Sequence, residues 1–377
     1  MRIGERHNHG DHPPRGAIDW RTWRLYGLIV LATLVGVELA ARVFDWSPSA
    51  RNFRSGDGLG MSRYNYSPSG FGDLMPRQDG HWVTWFHRPY HVETNSAGLR
   101  NTEAVSANAF RILAVGDSQT FGPFLANEET WPAWTENYLR QRDRSADRTQ
   151  VFNAGIVGYT IVDELGYLRD KALAFNPQLV VLAVFENDLR DLLKERDGVK
   201  KRPAHSLLTG VANAFRTFGR SLAVVSLVND IKSRIQLASA DVDIHRGVHG
   251  ATGWAPPSAN DAALAQRYTL HFNETVRLLK SKAIELAVLF IPAANSLEPG
   301  SPSVMEPVIR AATGANHTPY LDLTPILGKE RDPVARLYLL QRGPGGELEG
   351  DGHLSREGNA VIGRALADWL VEKRLVR

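Results

Sequence analysis

Five short apolar runs, each separated from the next by polar or amphipathic chain, constrain this sequence more than any other feature. They read FRILAVG at 110–116, QVFNAGI at 150–156, PQLVVLAVF at 177–185, IELAVLFIP at 284–292 and PYLDLTPIL at 319–327. Runs this short and this continuously apolar suit strands buried on both faces, because a strand with one wet face alternates polar and apolar residues. Helical periodicity falls between or after them, near 130–142, 162–174, 261–282 and 356–373. The alternation predicts an α/β fold with a five-stranded parallel sheet covered by helices on both sides. A chain of 377 residues, 43% of them hydrophobic, can fill the core such a sheet needs.

Around that predicted domain, spanning 108–377, the chain carries additions. The interval of about 190–260 is too long for a simple connection, and Leu208, Val211, Phe215, Phe218, Leu222 and Val225 recur in it at helical spacing, so an inserted helix is expected. Residues 45–107 are rich in Gly, Pro, Ser and aromatics and predict a linker with short strands and turns. Before them, LYGLIVLATLVGVELAARVF at 25–44 has only Glu38 and Arg42 charged and is long enough to serve as a transmembrane anchor. A cleavable signal would want a small-x-small site, and Leu39 spoils the one near Ala40 and Ala41. Residues 1–24 lack apolar periodicity and read as a flexible tail. Arg15, Arg21 and Arg24 before the span nearly balance Arg42, Arg51 and Arg54 after it, and Arg2 and Arg6 tilt the count toward a cytoplasmic N-terminus. The expected location is therefore the inner membrane, single-pass, with the main domain on the periplasmic side.

Composition excludes several chemistries. There is no cysteine, hence no disulfide, thiolate metal site or cysteine nucleophile. A net charge of +3 without a basic, aromatic-laced stripe argues against nucleic acid as a partner. No Gly-x-Ser-x-Gly elbow, phosphate-binding Gly-Lys-Ser/Thr loop or His-Glu-x-x-His helix occurs. His7, His9 and His12 lie in the tail, and His245 with His249 lack an obvious third ligand, so no metal or other cofactor is expected.

Ligands of open parallel sheets bind at the carboxyl ends of the strands, which directs attention to the polar residues that follow each run. The first run is followed by Asp117 and Ser118, the second by NAGIVGYT with Gly155 and Gly158, and the third by ENDLRD with Asn187 and Asp188; GDGHLSREGNA places Asp351 and His353 just ahead of the last helix. Taken alone, Ser118 reads as a helix cap, Asn187 as a turn residue, and Asp351 with Ser355 as a cap of the last helix. Together, the blocks GDSQTFG, NAGIVGY, FEND and DGHLSREG resemble the SGNH, or GDSL, hydrolase family over about 108–377. TNSAGLR at 94–100 is similar to a segment upstream of the Ser block in its membrane-anchored bacterial members.

That resemblance implies a flavodoxin-like three-layer α/β/α sandwich and the hydrolysis or transfer of O-linked acyl groups. It implies Ser118 as nucleophile, His353 as its base and Asp351 as the acid that orients His353. It further implies an oxyanion hole made by the N–H of Ser118, the N–H of Gly158 and the side-chain amide of Asn187, with Gly155 as the alternative glycine. The acid departs from the commoner spacing: Gly350 stands three residues before His353, and Asp351 only two. Asp117 becomes a loop-shaping residue. Three functions follow: a membrane-tethered serine esterase acting on short acyl esters of an acylated glycan or lipid, an O-acyltransferase using the same triad on a cell-envelope polysaccharide, or a catalytically silent glycan-binding module using Trp82, Trp85, Phe86 and Tyr90.

Overall fold

The computed structural model describes residues 20–44, 52–54, 73–74, 76–83, 90–103, 109–142, 149–193, 258–342 and 348–376. The N-terminal tail up to 19, the aromatics Trp85 and Phe86, the expected helix within 194–257 and the pair His245 and His249 lie outside the described residues.

Helix α1 spans Trp20–Val43. At 1.5 Å per residue its 24 residues run about 36 Å, slightly more than a hydrocarbon core. Nearly all of its large apolar side chains face outward, so this helix has the length and composition to cross a membrane. Glu38, the charge inside the apolar span, pairs with Arg42 one turn later at 2.7 Å. A small sheet follows: β1 (Asn52–Arg54) lies parallel to β2 (Asp79–Val83), and β2 runs antiparallel to β3 (Tyr90–Glu93). Tyr90 and Val92 of β3, together with Leu74 and Leu99, are buried in the same apolar cluster as Leu113 and Val115 of the main domain.

The main sheet contains β4 (Phe110–Gly116), β5 (Thr149–Gly155), β6 (Leu179–Phe185), β7 (Glu285–Ile291) and β8 (Tyr320–Asp322) in the order β5-β4-β6-β7-β8, every pair parallel. Each apolar run has become a strand within a residue or two of its predicted limits, except the last. There only three residues are extended; Asp322 accepts a hydrogen bond from the Thr324 N–H at 2.8 Å and the chain turns into a short helix at Thr324–Leu327. Successive strand residues alternate between two cores, with Leu113 and Val115 on one face of β4 and Ile112 and Ala114 on the other.

The helices sort by face. Ser118–Phe121 forms a single turn, α2. Helix α3 (Trp131–Arg142) packs on the face of Ile112, and α4 (Ile161–Asp170) on the face of Leu113. After the short α5 (Asp188–Asp191) come α6 (Asp261–Ser281) and α7 (Glu306–Asn316), both on the α4 side. The last helix, α8 (Arg356–Glu372), joins α3. The result is the three-layer α/β/α arrangement expected, with β4 next to the edge strand β5 and the chain moving outward from β4 in both directions. Strand order reverses between β4, β5 and β6, and the crevice at their carboxyl ends is where such folds place ligands.

Asp351 and His353 precede the last helix on β10 (Leu348–Leu354), which pairs antiparallel with β9 (Tyr338–Arg342) in a separate two-stranded sheet.

Candidate active site

Ser118 stands just past the carboxyl end of β4. The preceding Asp117 is the N-cap of the turn and accepts the Gln119 N–H at 2.8 Å, which makes it the loop-shaping residue expected. Gly122 closes the turn in the left-handed region, with φ of 76°, and donates its N–H to the Ser118 carbonyl at 2.9 Å. The turn is pressed against β5: a Cβ on Gly155 would lie 2.2 Å from the Phe121 nitrogen and 2.6 Å from the Thr120 carbonyl carbon. Glycine is therefore required at 155 by backbone contact, and its N–H is taken by the Asn153 side chain at 3.0 Å.

The β9–β10 pair brings the histidine to this serine. Between Asp351 and Leu354 the register of β10 against β9 shifts, so the chain bulges and re-aims the side chains of that stretch. Gly350, at φ of 116° and with Leu339 O where a Cβ would go, permits the approach. The bulge lets one oxygen of Asp351 accept both the main-chain N–H of His353, at 2.9 Å, and the hydrogen of its ring Nδ1. This curl is how an acid only two residues away reaches the ring. With Nδ1 protonated toward Asp351, Nε2 is the free base, and it lies 2.8 Å from Ser118 Oγ.

Burial alone would lower the His353 pKa, but the hydrogen bond and charge of Asp351, with the charge of Asp117, outweigh it and leave the imidazole above its ordinary value.

The other predicted residues surround the same turn. The Ile156 N–H donates to the Gly116 carbonyl at 3.1 Å, which holds the loop after β5 beside the loop after β4. Gly158 in that loop is half-buried with φ of 79°, and its N–H has no acceptor among the described residues. Asn187 follows β6; its side chain is near enough to Asp117, next to Ser118, to lower that carboxyl's pKa, and its Nδ2 donates to Asp191 at 3.2 Å. Ser118, His353 and Asp351 are thus linked in a row by hydrogen bonds, and the loops carrying Gly158 and Asn187 follow β5 and β6, the two strands paired with β4.

Residues 114–361, more than half of the chain, match the model of the GDSL-like lipase/acylhydrolase family. The chain belongs to that family. It is accordingly an ester-hydrolysing enzyme. No curated protein sequence matches it. Among solved structures this GDSL-family chain is similar to a protein assigned to the lipolytic G-D-S-L family from Desulfitobacterium hafniense, with 16% identity over 69% of this chain and 99% of that one and a TM-score of 0.38. It is also similar to a catalytic mutant of an acetylxylan esterase from Geobacillus stearothermophilus, with 14% identity over 71% and 96% and a TM-score of 0.40.

Beneath the site of this GDSL-family enzyme lies a group of buried carboxyls. Burial pushes Asp117 up to about 6, against the lowering effects of the Gln119 N–H and His353. Glu164 and Asp188 are also raised well above their ordinary values, by burial first and then by the charge of Asp117. Among the described residues no group of His, Asp and Glu is arranged to hold a metal.

Two further contributors are not among the predicted site residues. Phe124, in the left-handed region at φ of 69°, sets its ring edge-on to His353 at 5.9 Å and to buried Tyr90 at 5.8 Å. Arg100, at the end of TNSAGLR, is fully buried; its guanidinium donates to the carbonyls of Phe121, Gly122 and Leu125 and to Asn127, and lies 4.6 Å over the Phe121 ring. Burial pushes it down to about 10, so it stays charged at neutral pH while clamping the turn that carries Ser118. Replacing Arg100 by Met strands several buried carbonyls and is expected to cost about 3 kcal/mol or more. Chemical denaturation of the purified chain checks this; a loss under about 1 kcal/mol would mean that those carbonyls find other donors.

Proposed function

We propose that this GDSL-family esterase removes short acyl groups, such as acetyl, from an extracytoplasmic glycan or lipid through Ser118, His353 and Asp351. The reading rests on one observation above the others: Ser118 Oγ meets His353 Nε2 at 2.8 Å while His353 Nδ1 is held by Asp351.

A serine hydroxyl is a poor nucleophile at neutral pH, so His353 takes its proton as Oγ attacks the ester carbonyl, and Asp351 stabilises the resulting imidazolium. The carbonyl oxygen becomes an oxyanion that receives hydrogen bonds from the N–H groups of Ser118 and Gly158 and from the Asn187 amide. Gly158 is preferred to Gly155 because the latter's N–H already serves Asn153. Collapse breaks the bond to the alcohol oxygen, which takes the proton from His353 and leaves an acyl-Ser118. Water then repeats the sequence: His353 removes its proton, the second tetrahedral species collapses, and the carboxylic acid departs as Ser118 regains its hydrogen.

The Phe124 ring against His353 favours a small group on the bond being broken. Helix α1 serves as a single-pass anchor in the inner membrane with the site on the periplasmic side, an orientation that rests on the basic residues Arg2 and Arg6.

The test is covalent. A fluorophosphonate probe added to the detergent-solubilised full chain should label Ser118, located by peptide mass, and extinguish turnover of an activated acetyl ester in the same proportion. Labelling elsewhere, or full turnover by a protein labelled at Ser118, would sink the proposal.

A further inference from the structure

The bulge that lets Asp351 reach His353 also removes backbone support from the histidine. In the pairing of β10 with β9, Asp351 faces Leu339 and Leu354 faces Tyr338, so Gly352 and His353 have no partner residue on β9. A base that must meet a hydroxyl at hydrogen-bond distance cannot sit on an unsupported loop, because displacement of a reacting group by about 1 Å costs on the order of 100-fold in rate.

The missing ladder is supplied by the side chain next to the serine. The Gln119 amide donates from Nε2 to the Gly352 carbonyl at 3.2 Å and accepts the Leu354 N–H on Oε1 at 3.2 Å. It therefore grips the main chain on both sides of His353, as a neighbouring strand would. Gln119 is almost fully buried, and its own N–H is fixed by Asp117. Since it directly follows Ser118, one peptide unit links the proposed nucleophile to the clamp on its base.

We infer that Gln119 is a positioning residue, whose amide replaces the missing β-ladder across the bulge and sets the position of His353 relative to Ser118. The inference rests on the Ser118–His353 reading above. A carboxamide suits this role because it carries a donor and an acceptor on one planar group, and these meet a carbonyl and an N–H two residues apart.

Gln119→Met keeps the length of the side chain and removes both hydrogen bonds; Gln119→Asn keeps the amide but is one methylene too short to span both groups. Each is made in the full chain, alone and combined with His353→Ala, beside Ser118→Ala and His353→Ala controls. Turnover of an activated acetyl ester is measured per folded protein, with the folded fraction taken from thermal melts. The expected result is a fall in kcat of about 10- to 100-fold with KM little changed, and no further fall in the His353→Ala background. A residue acting only on folding would lower both backgrounds alike, so equal losses overturn the inference, as does unchanged kcat or a loss carried by KM. If instead Ser118→Ala retains turnover, it is the esterase assignment to Ser118 that fails. A dead Ser118→Ala beside fully active Gln119 variants rejects the clamp alone.

Discussion

Ser118→Ala is expected to lower kcat for an activated acetyl ester by about 10⁴- to 10⁶-fold with little change in KM, the range found when a serine hydrolase loses its nucleophile. The direction follows from what remains. The proposed oxyanion donors and His353 are still in place, so substrate should bind, but the oxygen proposed to form the acyl-enzyme is gone. Stability should change by less than about 1 kcal/mol, because the Ser118 side chain caps nothing: the cap of its turn is Asp117, and the turn is closed by the Ser118 backbone carbonyl. A variant that melts like the wild type and hydrolyses nothing therefore separates chemistry from folding. Turnover within tenfold of wild type would remove Ser118 from the mechanism.

Legibility in the sequence is uneven, for physical reasons. Strands β4, β6 and β7 can be placed closely because a parallel strand buried on both faces must be apolar throughout, as Leu179–Phe185 is, and nothing else so short looks like that. The carboxyl ends of β4, β5 and β6 then point to Ser118, Gly158 and Asn187 without any contact being known. The chain turns after β4 because Gly116 and the Asp117 cap stop it there, and those residues are visible in a sequence. The β10 strand is not, because LEGDGHL carries two glycines and two acids and has no alternation. Its pairing rests on backbone hydrogen bonds and a register shift, which have no side-chain signature. The roles of Arg100 and Gln119 are hidden for the same reason, although TNSAGLR and GDSQTFG contain them: Arg100 acts mostly on main-chain carbonyls and Gln119 on a carbonyl and an N–H, and a backbone partner leaves no trace in the residue types around it. Phe124 is hidden for a related reason, since only the fold brings 124 to 353.

The acid two residues before the histidine carries the second large effect. Asp351→Asn preserves size and is expected to lower kcat/KM by about 10⁴-fold near neutral pH. An asparagine can present either N–H or C=O to Nδ1, so the ring loses its preference for carrying hydrogen on that nitrogen, and the Nε2 lone pair is no longer held toward Ser118. The variant also removes a charge, and this gives the pH profile a sign. In the wild type, burial pulls the His353 pKa down while Asp351 and Asp117 push it higher still, with the rise winning. Because the base must be neutral to work, wild-type kcat/KM should climb with pH through a midpoint above about 6.5, the ordinary histidine value. In Asp351→Asn the burial remains and its strongest counterweight is gone, so the residual activity should climb through a lower midpoint. The ion pair also bears on stability. A histidine whose folded pKa exceeds its unfolded one stabilises the fold fully below about 6.5, and this contribution fades as pH rises through the folded value. Wild type should thus exceed Asp351→Asn in stability most below that pH and least well above it. Full pH–rate and pH–melting profiles of the two proteins measure both effects, and a midpoint that stays put or moves up in Asp351→Asn would mean that another group holds the imidazolium.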